Sequence, residues 1–312
     1  MFNKADQMFS NVYPVTWYGR FFQFPITRLF IVILFLIPAT LLSQLFGLEL
    51  FSSFDEPLFS IIRFLRDLLF LIIFMVLYGS YTRYIEKREA LELSFPKLPK
   101  ELGIGILISF SVVGFMVAIM MVLGYYQIDG FNSVKNLTDS FMNQMMVGFT
   151  EELIFRLILF KLVEEFAGSW WALIVQGLFF GFAHIGNPNA SVWTSLGLVV
   201  DSTLLFGAAF MLTRRLWLIM GLHWSWNFFQ AGVFGMPNSG ILQPGWIQPS
   251  IDGPVWLTGG AWGIEASYIA VVINLLIGLY FLKMALDKGQ LVLPSWKRGE
   301  KIIGTIHDGN DT

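Results

Sequence analysis

The chain has 312 residues, of which 55% are hydrophobic and 13% charged, with a formal net charge of -2 and a mean hydropathy of +0.65. A soluble domain carries roughly 25% charged residues, so this composition points to lipid as the solvent, and near-neutrality without a basic stripe excludes a nucleic-acid partner. Cysteine is absent, which excludes disulfides, thiol catalysis, iron–sulfur clusters and Cys-type zinc sites.

About two dozen mixed residues precede the first apolar run. They contain no small-residue cleavage pattern, so the N-terminus does not read as a signal peptide. A hydrocarbon core of ~30 Å takes about 20 helical residues. On that measure eight segments are expected to span, at approximately 27–46, 59–81, 103–126, 142–163, 169–186, 192–212, 216–235 and 263–285. The fold class is therefore all-α, a polytopic membrane helical bundle of about eight transmembrane helices. The fourth and seventh segments are the most polar, and a seven-span reading with one re-entrant segment stays open. The expected division is a cytoplasmic N-terminal segment (1–26), one transmembrane domain (27–286) and a polar cytoplasmic tail (287–312), read as disordered after Lys297.

Basic residues set the expected orientation, because Lys and Arg collect in cytoplasmic loops. Arg83, Lys87, Arg88, Lys97 and Lys100 follow the second segment, Arg214 and Arg215 the sixth, and Lys283, Lys288, Lys297, Arg298 and Lys301 flank the end of the eighth. The opposite loops hold Glu49, Asp55, Glu56 and a single Lys135, and 236–262 has no basic residue. Both termini are thus expected in the cytoplasm. The stretch 236–262, rich in Gly, Pro and Trp, reads as an interfacial loop anchored by Trp246, Trp256 and Trp262, with a lid over a site as the sharper alternative.

Ionisable side chains inside a span cost ~2.5–3.5 kcal/mol each on insertion scales, and here they concentrate at three places. In the fourth segment Glu151 and Glu152 are adjacent, and Glu152 stands four residues before Arg156, the favourable order for a helical ion pair. Glu151 is rotated about 100° from that pair and is left as a candidate general base; alternatively the cluster only fixes helix packing. Phe180 and His184 close the fifth segment. His223 and Asn227, four apart in the seventh, share a helix face and can bind a proton, a metal or a carbonyl oxygen, or merely hydrogen-bond a neighbouring helix. Of the three histidines, His307 lies in the polar tail. The other two fall with the paired glutamates in one stretch of 77 residues, 151–227, so a shared polar pocket is expected. Asp201 and the group Arg63, Arg66 and Asp67 read as structural, with Arg63 and Asp67 at pairing distance.

The ordered segments Glu151-Glu152-x-x-x-Arg156, Phe180-x-x-x-His184 and His223-x-x-x-Asn227 resemble the EExxxR, FxxxH and HxxxN motifs of the CPBP (CAAX protease and bacteriocin-processing) family of intramembrane proteases. The resemblance covers roughly 103–235. It implies an endopeptidase acting on a membrane-embedded or membrane-anchored protein or peptide, in CAAX-type or bacteriocin-related processing. Glu151 would activate water, His184 would position it, and His223 and Asn227 would stabilise the oxyanion; Glu152, Arg156 and Phe180 would shape the site. The family is described both as metalloprotease and as glutamate-dependent protease. A divalent metal such as zinc, held by His184, His223 and Glu151, is therefore open rather than required. The expected location is the bacterial cytoplasmic (inner) membrane. The alternatives are a bacteriocin self-immunity or scaffold protein without catalysis, and a proton-coupled transporter, which internal repeats would favour; none is seen.

Overall fold

The computed structural model describes residues 8–9, 16–47 and 54–298; the tail after Arg298, with His307, lies outside the described residues. The chain runs through α1 (Trp17–Gln23), α2 (Pro25–Leu45), α3 (Leu58–Tyr84) and α4 (Leu98–Val122). After strand β1 (Tyr126–Phe131), α5 (Val134–Glu152) continues through a π-helical stretch, Leu153–Phe160, into α6 (Lys161–Ala167). Next come α7 (Ser169–Ala183), α8 (Val192–Val200), a second π-helical stretch (Asp201–Phe206) and α9 (Gly207–Thr213). A third π-helical stretch, Phe228–Val233, extends α10 (Leu216–Asn227), and β2 (Ile247–Ile251), α11 (Val255–Thr258) and α12 (Tyr268–Asp287) complete the order.

Each of the eight segments expected to span is helical in its main part. Five stretches of the described residues are long and apolar enough to cross a membrane by length and composition alone, at 25–42, 91–122, 169–186, 192–213 and 268–287. The fold is an all-α polytopic bundle. Its outer surface is apolar, with Phe30, Leu34, Leu65, Val76, Leu107, Phe179 and Leu276 all exposed, whereas Glu152, Arg156, Gln176, Asp201 and Gln230 are buried. That inversion of the soluble pattern suits a protein solvated by lipid.

Helix α10 forms the centre. All of its residues except Trp224 are buried, as expected for a helix that other helices surround. It lies against α4 at a glycine crossing. A Cβ on Gly105 would fall 2.6 Å from the Leu218 carbonyl oxygen, and one on Gly221 would fall 2.5 Å from that of Leu102. Small residues of this kind let membrane helices approach backbone to backbone.

The third segment begins earlier than expected, at Leu98, because Pro99 suits the first turn of a helix. It ends at Gly124, whose φ of +77° takes the left-handed conformation that closes a helix. The chain then forms β1, which pairs antiparallel with β2 from Tyr126↔Ile251 to Phe131↔Ile247, with an irregularity between Ile128 and Gly130. This sheet was not expected from the sequence. It ties the 236–262 stretch down, and the Tyr126 hydroxyl adds a 2.7 Å hydrogen bond to the Phe234 carbonyl. Trp256 is exposed, but Trp262 is buried against Phe180, Leu198 and Ala266. Trp262 is thus a core residue and not an interfacial anchor.

The cluster in α3 also pairs differently from the expectation. Arg63 reaches Asp139 of α5 at 3.1 Å, and Asp67 binds the neighbouring Arg66. Favourable spacing within one helix lost to an acid supplied by the next helix.

A buried ionic network joins α2, α3 and α6 just past the end of α3. Glu86 accepts from Arg28 (3.3 Å), Tyr81 (3.0 Å), Arg88 (2.8 Å) and Lys161 (2.6 Å), and Arg88 also forks onto Glu92 at 2.7 and 2.9 Å. Burial opposes ionisation of Glu86, but Lys161, Arg88 and Arg28 outweigh it and hold its carboxyl below the ordinary value of 4.5. Because the folded pKa is lowered, the stabilisation is complete above the ordinary value and is lost as pH falls from there through the lowered one. Glu86→Gln is therefore expected to unfold more easily at neutral pH, by about 3–5 kcal/mol for a broken buried network. It should also flatten the acid limb of the stability curve. Chemical denaturation of the micellar protein from pH 7 to pH 3 measures both.

Candidate active site

Local helix geometry fixes the first half of the site. Glu152 and Arg156 stand one turn apart where α5 widens into the π-helical stretch, both fully buried, with Arg156 Nη1 2.9 Å from Glu152 Oε1. Arg156 Nη2 donates to Ser202 Oγ at 2.7 Å. Its guanidinium lies over the rings of Phe180 (4.7 Å) and Phe206 (5.0 Å), so the cation has both ionic and π partners. The residue adjacent to Glu152 points elsewhere: Glu151 is a quarter exposed and faces a cavity.

The FxxxH spacing has a direct physical meaning. His184 follows the last residue of α7, and its Nδ1 lies 2.8 Å from the Phe180 carbonyl one turn back. A carbonyl oxygen only accepts, so Nδ1 carries a proton and Nε2 is the nitrogen turned to the site. That Nε2 stands 3.9 Å from Glu151 Oε1. On α10, His223 places Nδ1 2.7 Å from Glu152 Oε1 and Nε2 3.6 Å from Glu151 Oε2. His223 therefore has a carboxylate near each ring nitrogen, with Nδ1 in hydrogen-bond contact with Glu152 and Nε2 facing Glu151. Asn227 lies one turn along α10 and lines the same cavity.

That cavity measures about 150 Å³. All four residues expected to be catalytic line it, as does Phe180, while Glu152 and Arg156 stand behind the wall. Phe180 also holds the imidazoles in place, its ring centroid 4.9 Å from that of His184 and 6.0 Å from that of His223.

Several polar wall residues did not stand out in the sequence. Asn143 precedes Glu151 by eight residues, with Val147 between them at intervals of four, so one face of α5 carries all three into the cavity. That spacing was available as a signal. Glu265, Asn274 and the loop residues Asn238, Ser239 and Gln243 also line it, so the 236–262 stretch faces the site. Asp201, read as structural, proves to be a wall residue. The three π-helical stretches among the described residues all adjoin this site: one follows Glu152, one begins at Asp201 and one follows Asn227. Widened turns of this kind are frequent at functional sites.

Two imidazoles and a carboxylate are chemically suited to zinc. Among the described residues, however, no group of three or more His, Cys, Asp or Glu is arranged to hold a metal ion.

An all-α membrane bundle that turns a carboxylate and two imidazoles into an internal polar cavity has the parts of an acid–base hydrolytic centre. Residues 133–229, which contain all three motifs, match the family model Rce1-like, described as type II CAAX prenyl endopeptidase Rce1-like. The match bears out the resemblance to the CPBP-family intramembrane proteases and agrees with an integral membrane protein of protease type. No curated protein and no solved structure gives a significant match.

Proposed function

We propose that this protein is an intramembrane endopeptidase that hydrolyses a peptide bond in a membrane-embedded or membrane-anchored protein or peptide, with Glu151 as general base. The observation that carries this reading is the convergence of His184 Nε2 and His223 Nε2 on the Glu151 carboxylate, at 3.9 and 3.6 Å. These separations exceed a hydrogen bond and suit a water held among the three groups.

In the proposed reaction that water donates one hydrogen to Glu151 and the other to His184 Nε2. As its oxygen bonds to the scissile carbonyl carbon, Glu151 takes the first proton. The carbonyl π electrons move to oxygen, and the oxyanion accepts from His223 Nε2–H and the Asn227 amide, donors that act strongly in a cavity walled by Phe180 and Phe206. Collapse of the intermediate breaks the C–N bond, and the proton on Glu151 passes to the leaving amine. The glutamate-dependent form, the inner-membrane location with both termini cytoplasmic, and a role in CAAX-type or bacteriocin-related processing all belong to this proposal.

The test is cleavage of a membrane-peptide library by full-length protein in liposomes, read by mass spectrometry. Cleavage by wild type, reduced at least ~100-fold in a well-folded His184→Ala variant, is the expected result. Absence of any cleavage, or equal cleavage by both proteins, overturns the proposal, and metal analysis of the same sample tests the glutamate-dependent form.

A further inference from the structure

The cavity wall carries a second polar group that the proposed chemistry does not use. Asp201, at the start of the second π-helical stretch, accepts at Oδ2 from Asn274 Nδ2 of α12 at 3.2 Å. Its other oxygen, Oδ1, and Asn274 Oδ1 are buried and have no hydrogen-bond partner. The two residues are 4% and 2% exposed, and both line the cavity. Buried acceptors are normally satisfied, and both residues line the cavity, where a donor group on a bound substrate would supply the partner that the two oxygens lack.

The charge of the wall says which kind of donor. Glu151, Asp201 and Glu265 all line the cavity, and among the described residues no Lys or Arg does. Arg156 is committed to Glu152 and Ser202. Glu265 accepts from the Gln230 amide and the Ser239 backbone N–H, both neutral. A cationic group with several N–H bonds would satisfy the orphaned oxygens and favour the ionised form of Asp201, whereas a carboxylate there would bring acceptors to acceptors.

We infer that Asp201 and Asn274 form a specificity subsite that takes the ammonium or guanidinium of a substrate Lys or Arg side chain near the scissile bond. This deepens the protease reading and rests on it for the reaction, although the binding preference can be measured without cleavage.

The experiment uses the full-length protein in micelles and matched peptides that differ at one position as lysine, acetyl-lysine or glutamate. For cleavage, kcat/KM for lysine is expected to exceed that for acetyl-lysine at least tenfold at one position, with glutamate poorest. Asp201→Asn should bring the lysine to acetyl-lysine ratio to within threefold of one, and Asn274→Leu should lower it; Asn274→Asp should raise it. Each variant's acetyl-lysine rate is its own internal reference, and size-exclusion chromatography reports its fold. In parallel, fluorescence anisotropy with Glu151→Gln protein compares binding of the lysine and acetyl-lysine peptides. Amine-selective binding that Asp201→Asn abolishes supports the subsite even if nothing is cleaved, in which case only the protease reading falls. Cleavage or binding without amine preference, or a preference that survives both Asp201→Asn and Asn274→Leu, overturns the subsite.

Discussion

Glu151→Gln is expected to lower kcat about 10²–10⁴-fold, the usual contribution of a positioned general base, while leaving the protein folded. The side chain is a quarter exposed and meets its histidine neighbours only at 3.6 and 3.9 Å, so an isosteric amide breaks no short buried contact. An amide oxygen cannot take a proton from water at neutral pH, but it still accepts a hydrogen bond. KM should therefore change much less than kcat. Measured on one cleavable peptide, with the thermal midpoint as the control for folding, a variant with near wild-type kcat would remove Glu151 from the mechanism. Unfolding would instead show that the carboxylate holds the bundle together.

Arg156→Met should behave in the opposite way and destabilise the protein by about 3–5 kcal/mol, because it strands a buried carboxylate. Glu152 would then retain only His223, and Ser202, Phe180 and Phe206 would lose their shared partner. Activity should fall as well, since Glu152 is the group that orients His223. Lysine cannot replace this arginine, because a single ammonium cannot reach Glu152 and Ser202 and also lie flat between two rings. The double variant Glu152→Gln/Arg156→Met should recover part of the stability lost by Arg156→Met alone, since no buried charge is left unmatched. Denaturant titration of the three proteins reads this. Additive losses would show that the two side chains act independently.

The contrast between the two glutamates is legible in the sequence. Helical spacing alone assigns Glu152 to Arg156 and turns Glu151 away, and the folded protein has that arrangement. The FxxxH spacing is just as local, since it brings His184 Nδ1 to the Phe180 carbonyl. Where a local rule competes with a neighbouring helix, it fails: Arg63 pairs with Asp139 rather than Asp67. The β1–β2 pair is not legible in this way, because its strands lie more than a hundred residues apart and each is short and polar enough to read as loop.

Composition by itself determined that this chain lives in lipid, since so few charges cannot solvate so much apolar surface. Spacing by itself determined which side chains share a helix face, because the rise and twist of a helix fix relations among residues three and four apart. Packing decided the rest. The glycine crossing of α4 and α10 sets where the His223 helix stands, and with α7 it brings two imidazoles onto Glu151. The same packing puts Asp201 and Asn274, 73 residues apart, into one cavity wall. Contacts of that range depend on how whole helices settle against one another, which no local period in the sequence encodes.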